Sequence, residues 1–128
     1  GPRDLKAGQV ILVRRDTGEK TAVPMDGLET AVTDMLDDVQ IGLYSKAKRF
    51  MEDNTRLVED YDAFKQILES RRGFMDAPWC GDQACETAIK EETGATIRCI
   101  PMGRSARPGK CIRCGKDTDT WVYFARAY

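Results

Sequence analysis

Cys111-Ile112-Arg113-Cys114-Gly115-Lys116, read together with Cys80-Gly81-Asp82-Gln83-Ala84-Cys85, decides what kind of fold this chain can have. The two-residue spacing of Cys111 and Cys114 lets both thiolates point at one ion, and Gly115 permits the tight turn behind them. In the other segment Asp82 has the chemistry of a helix N-cap. That puts Cys85 in the first helical turn, where the helix dipole favours a thiolate. The 25 residues from 86 to 110 separate the two pairs, enough for a strand to leave and return. Four thiolates in a chain with no histidine favour tetrahedral zinc. With all four positions filled by protein, that ion is structural, and no catalytic residue is assigned. Two other readings stay open at this point: a redox pair or iron–sulfur site, and unliganded core thiols. Cys99, flanked by Ile97 and Ile100, reads as a buried filler and not a ligand.

Outward from the cysteines, the surrounding segments alternate in period. Leu57-Val58-Glu59 reads as a short strand. Asp60 or Asp62 then caps a helix with Tyr61, Phe64, Ile67 and Leu68 on its inner face. Arg71 and Arg72 suit its C-terminal end and Gly73 its C′ position. Phe74 to Ala77 is a short strand into Pro78. Asp82 opens a second helix, with Ala84, Cys85, Ala88 and Ile89 facing inward and Gly94 closing it. Thr96 to Ile100 and Thr120 to Ala125 are β-like, separated by a loop of small and basic residues from Gly103 to Lys110. The order is β-α-β-α-β-β, an α+β unit of two layers. A unit of about 70 residues has a thin core, and a metal supplies the missing stability.

Further upstream, Val10 to Val13 and Thr21 to Val23 flank a turn containing Gly18, the pattern of a β-hairpin. A lone hairpin is marginal in water, so it must pack on the following helix or on another domain. Asp26 and Glu29 make a capping-box pair. Leu28, Val32, Met35, Val39, Leu43, Ala47 and Phe50 then recur at helical spacing. A helix from Gly27 to about Asn54 is about 40 Å long, more than a small core needs. It reads as a connecting strut, with Gly42 marking a kink or a close contact. Three segments follow: 1–24 with the hairpin, 25–55 with the long helix, and 56–128 with the cysteines.

Composition narrows function. The chain has 128 residues, 41% hydrophobic and 32% charged, as in a folded soluble protein. No apolar run is long enough to span a membrane, and Gly1 to Gln9 lack the apolar core of a signal peptide. Without histidine there is no Ser-His-Asp triad. The net charge of -1 excludes a broadly basic nucleic-acid binder. It hides an acidic stretch from Asp26 to Glu69 and a basic one from Arg98 onward, through Arg104, Arg107, Lys110, Arg113, Lys116 and Arg126. Lys110, Arg113 and Lys116 surround the cysteine knuckle and balance a site of net charge about -2. Trp79 is expected to pack beside the metal site.

Four stretches carry a resemblance: Val13 to Lys20, Ala77-Pro78-Trp79-Cys80-Gly81, Glu91 to Pro101, and Gly109 to Lys116. They are similar to prolyl-tRNA synthetase in the archaeal/eukaryotic-like form with a zinc-binding C-terminal extension. The closing segment, Val122 to Tyr128, resembles the end of that family. The resemblance covers nearly the whole chain. It implies that 1–24 is the end of an anticodon-binding domain, 25–55 the linker helix and 56–128 the zinc-binding C-terminal domain. It matches Cys80, Cys85, Cys111 and Cys114 to the family's zinc ligands. It further implies a homodimeric, cytoplasmic class II ligase that uses ATP to join proline to tRNA(Pro). The catalytic domain would lie upstream, outside this chain, so the chain alone is expected to be inactive. The resemblance also implies that Tyr128 carries a terminal carboxylate reaching toward that domain. Arg14 and Arg15 are candidate contacts to RNA or a neighbouring domain; as strand neighbours they are expected to face opposite ways. The competing expectation is a stand-alone zinc-stapled module that binds RNA or protein without enzymatic activity. A thiol oxidoreductase is a third.

Overall fold

The computed structural model describes residues 1–71 and 73–127. The sequence expectations for Arg72 and Tyr128 fall outside the described residues. Two units divide the chain, Gly1–Met51 and Glu52–Tyr128. No helix among the described residues is long and apolar enough to cross a membrane.

The first unit opens with a short helix α1 (Pro2–Lys6), then strands β1 (Gln9–Val13) and β2 (Lys20–Pro24). These pair antiparallel from Gln9↔Pro24 to Val13↔Lys20. Gly18, at φ 75°, closes the turn, its N–H donating to the Arg14 carbonyl. The long helix α2 runs over Leu28–Asp53. Gly27 sits at φ 76° and its carbonyl accepts the Ala31 N–H, so Gly27 and not Asp26 precedes the first turn. The left-handed glycine redirects the chain after Asp26 and displaces the expected cap by one residue. Among its described residues α2 buries none. Leu36 is 63% and Tyr44 65% exposed. The apolar periodicity is real but only partly covered: Leu28, Met35 and Val39 are half-buried, while Val32, Leu43 and Phe50 are exposed.

Gly42 marks a close approach. The Arg14 guanidinium, held by Asp16 at 2.9 Å, donates to the Asp38 carbonyl, and a Cβ at Gly42 would lie 3.5 Å from it. The hairpin turn thus leans on α2 through Arg14. Arg14 and Arg15 stand in the turn beyond β1, not on the strand as expected. Arg14 points into the unit and Arg15 is exposed.

The second unit has the expected α+β order. Strand β3 (Thr55–Leu57), helix α3 (Tyr61–Ser70), strand β4 (Phe74–Pro78), helix α4 (Gln83–Thr93) and strand β5 (Ala95–Cys99) follow one another. Two short strands, β6 (Gly109–Lys110) and β7 (Asp117–Thr118), precede β8 (Trp121–Arg126). The main sheet has the order β3-β4-β8-β5. β3 and β4 are parallel, as a helical crossover requires, and β8 inserts antiparallel between β4 and β5. Val122 and Phe124 of this central strand have no exposed surface, nor has Phe64 of α3. Phe64 meets Phe124 edge-on at 5.5 Å between ring centroids. Met75, Ala77, Ile89 and Ala95 complete the core between sheet and helices. β6 and β7, not foreseen as strands, form a separate two-stranded ladder around the knuckle.

Helix starts follow side-chain chemistry. The Asp60 carboxylate accepts the Ala63 N–H at 2.7 Å, and Asp82 accepts that of Ala84 at 2.9 Å. Gly94 closes α4 in the left-handed region, φ 72°. The end of α3 differs from expectation. Arg71 is extended, and Gly73 is at φ 137°, outside a left-handed helix cap. Gly73 is needed for another reason: any Cβ there would collide with the Asn54 carbonyl, which accepts the Phe74 N–H at 2.9 Å. β3 begins two residues earlier than expected, at Thr55, and Ala84 is exposed and not inward.

Cys99 is also corrected: it is exposed. The pairing of β5 with β8 passes from Ile97↔Phe124 to Cys99↔Tyr123, so two residues oppose one. That bulge breaks the period of two and turns Cys99 onto the helix-free face.

Candidate metal centre

Cys80 follows β4, Cys85 lies in the first turn of α4, and Cys111 and Cys114 flank the turn between β6 and β7. Three backbone bonds shape that turn. Gly115 N–H donates to the Cys111 carbonyl at 2.8 Å, Cys111 N–H to Lys116 at 2.8 Å, and Ile112 N–H to Pro78 at 2.9 Å. Gly115 adopts φ 73°, the conformation its place in the motif requires. Thr118 Oγ1 donates to the Trp79 carbonyl at 2.8 Å, tying β7 to the segment that carries Cys80.

The four sulfurs lie within 4.8 Å of one another. Cys80 Sγ is 3.7 Å from Cys85 Sγ and 3.8 Å from Cys114 Sγ. A regular tetrahedron with zinc–sulfur bonds of about 2.3 Å has an edge of about 3.8 Å. A disulfide needs about 2.05 Å, and all five cysteines are free. The donor set and its spacing therefore fit structural zinc. Cys99 stands outside the tetrad.

Electrostatics gives a second reason for a cation. Burial, then the Cys114 and Cys80 sulfurs, push the Cys85 thiol far up. Burial also raises Cys80. At Cys111 burial acts the same way, but backbone N–H donors from Cys114, Arg113 and Cys80 outweigh it and bring the thiol down to about 7. At Cys85 burial and the neighbouring sulfurs oppose the thiolate that the helix start favours. Four adjacent thiolates repel one another, and a dication is what lets all four ionise.

The sequence reading missed the side chains that lock the knuckle to the fold. Ile112, between the paired cysteines, is 6% exposed and belongs to the core. Its apolar character inside a charged motif was the available signal. Arg113 bonds Glu92 of α4 at 2.7 Å and lies over the Tyr61 ring of α3, 5.5 Å from its centroid. Tyr61 donates its hydroxyl to the other Glu92 oxygen at 2.9 Å. The Tyr61 hydrogen bond, with Arg113 assisting against burial, holds the Glu92 carboxyl low. Burial, with Glu92 next, pushes the Tyr61 phenol up to about 12. Trp79, expected beside the metal site, packs on the core, with Nε1 donating to the Asp82 carbonyl at 3.2 Å.

The basic stretch is largely consumed internally. Arg104 pairs with the buried Asp76 at 2.7 Å and bonds the Tyr123 hydroxyl. Arg107 pairs with Glu59 at 2.9 Å and stacks on Trp121, 4.2 Å from the ring centroid. Arg98 and Arg126 donate to backbone carbonyls. At Arg104 and Arg107 the charge of this stretch is thus paired within the fold.

Comparison with known proteins places this geometry. The family described as "Prolyl-tRNA synthetase, C-terminal" matches residues 61–128. Proline--tRNA ligase 2 of Clostridioides difficile is 45% identical over the whole of this chain, which covers 27% of that protein. Proline--tRNA ligase of Oceanobacillus iheyensis is 48% identical with the same coverage. The crystal structure of prolyl-tRNA synthetase from Cryptosporidium parvum, complexed with halofuginone and AMPPNP, matches with a TM-score of 0.89 and 32% identity. It covers 100% of this chain and 27% of that one. The chain thus spans about a quarter of the length of these relatives. Since the matched region holds the whole cysteine tetrad and strands β4, β5 and β8 of the sheet, the chain belongs to the prolyl-tRNA synthetase C-terminal family.

Proposed function

We propose that this zinc-stapled region braces a proline--tRNA ligase and takes no part in its chemistry. In that reading 1–24 ends the anticodon-binding domain, 25–55 is the linker helix and 56–128 is the zinc-binding domain. Cys80, Cys85, Cys111 and Cys114 hold zinc. The full enzyme, a cytoplasmic homodimer, uses ATP to join proline to tRNA(Pro) in a catalytic domain beyond this chain. Arg15 is the better candidate than Arg14 for an RNA or interdomain contact, because Arg14 is engaged with Asp16 and α2.

The observation that carries the bracing role is the closed tetrad. Four protein sulfurs at tetrahedral spacing leave no position for a substrate or a water on the ion. The reading as a stand-alone RNA- or protein-binding module loses its motive where Arg104, Arg107 and Arg113 are spent on Asp76, Glu59 and Glu92. A proline-dependent ATP–pyrophosphate exchange assay on the purified chain, with its zinc content measured in parallel, is the test. One zinc per chain and no exchange are expected. Exchange activity would overturn the non-catalytic role. In the full-length ligase, Cys111→Ser should lower the melting temperature and aminoacylation together; an unchanged enzyme would overturn bracing.

A further inference from the structure

The arginines of the second unit divide by partner. Arg104, Arg107 and Arg113 each meet a carboxylate. Among the described residues, Arg98 and Arg126 meet none. Arg98 Nη2 donates to the Ala125 carbonyl at 3.2 Å. Arg126 donates through Nε to Thr93 at 2.6 Å and through Nη1 to Leu68 at 3.2 Å. A carbonyl positions a guanidinium without cancelling its charge. Of the five N–H donors on each, Arg98 spends one and Arg126 two on described residues.

Both line one cleft, where the end of β8 passes the start of β4 and the end of α3. Arg71 adds a third guanidinium, forming no ion pair among the described residues. Glu69 is the one acid among the described lining residues, and Leu68 and Phe74 supply apolar wall. The cleft is distant in the fold from the cysteine knuckle, at the opposite end of β8. Its second wall owes its shape to the β5 bulge, which places Arg98 as the extra residue between Ile97 and Cys99.

We propose that this cleft is a binding site for a phosphate group, supplied by a small phosphorylated molecule or by an RNA backbone. Among the described lining residues, three guanidiniums against one carboxylate leave positive charge to neutralise, and the planar fork of arginine suits a tetrahedral dianion. The carbonyl bonds prepay the ordering of two of the three side chains. The site does not depend on the family reading.

The test is titration of the zinc-loaded chain with inorganic phosphate at constant ionic strength, followed by amide and arginine Nε resonances. Saturable shifts at Gly73, Phe74, Arg98 and Ala125 are expected. Arg71→Gln, whose side chain makes no hydrogen bond among the described residues, should weaken binding about tenfold with an unchanged melt, and Arg98→Gln should weaken it by a similar factor. A parallel titration with a short single-stranded RNA identifies the source: competition with phosphate for the same resonances assigns it to an RNA backbone, and phosphate binding without competition to a small molecule. Shifts that do not saturate, that spread over arginines outside the cleft, or that persist in Arg71→Gln and Arg98→Gln would overturn the site.

Discussion

Gly73 shows how one atom sets the junction of two strands. Its φ of 137° strains any L residue, and a Cβ there would meet the Asn54 carbonyl that β4 needs as an acceptor. Gly103, at φ 69° with open space around it, carries the conformational strain alone. Gly73→Ala should therefore cost at least about 3 kcal/mol, and Gly103→Ala about 1–2 kcal/mol, in thermal melts of the zinc-loaded chain. Equal melting temperatures for the two would contradict the steric argument. Tyr61 makes a pH-dependent contribution. Its folded phenol is raised from 10.0 to about 12 by burial and by Glu92. The stability it contributes is complete below pH 10 and is lost as the pH rises through about 12. Tyr61→Phe should lack this alkaline loss, as measured by denaturant midpoints from pH 8 upward (about two pH units below the phenol's ordinary range). A wild-type and variant pair with parallel alkaline profiles would refute the assignment.

Elements are joined here by side chains that a pattern of periods does not reveal. The knuckle is pinned through Ile112 in the core and through Arg113 on Glu92 and Tyr61. Arg113 and Glu92 are each 38% exposed, so their direct coupling should stay below about 1 kcal/mol in a double-mutant cycle. Ile112→Ala removes buried apolar volume and should cost about 2–5 kcal/mol, read from denaturant unfolding. If the ion pair proved the larger of the two, packing would not be what seats the knuckle. The helices α3 and α4, the N-caps Asp60 and Asp82 and the strand β4 were legible because each is a local decision between a side chain and its neighbouring backbone. Asp26 failed as a cap because Gly27 could take a left-handed conformation, a choice the side-chain pattern does not encode. Cys99 failed as a core residue because a bulge depends on how β5 registers with β8, a strand more than twenty residues away.

At the scale of the molecule the two units rest on different physics. The unit Glu52–Tyr128 has a small core around Phe64, Met75, Val122 and Phe124. Structural zinc contributes about 10–16 kcal/mol in small metal domains, comparable with or above the about 5–15 kcal/mol net stability of an ordinary domain. Cys111→Ser, or chelation, should therefore abolish the cooperative melt of this unit. The helical signal of α2, whose residues draw on no metal, should partly survive. Metal content together with far-UV circular dichroism checks both; a cooperative metal-free melt would count against zinc as the staple. What the sequence by itself determined was the cysteine tetrad, the α+β order and the long helix. Ligand spacing, caps and hydrophobic period are properties of consecutive residues. What only the tertiary structure decided was the place of β8 between β4 and β5, the outward turn of Cys99 and the partners of the arginines. Each depends on which distant groups fold to within hydrogen-bonding reach, and charge counted along the chain cannot tell a neutralised guanidinium from one left to bind.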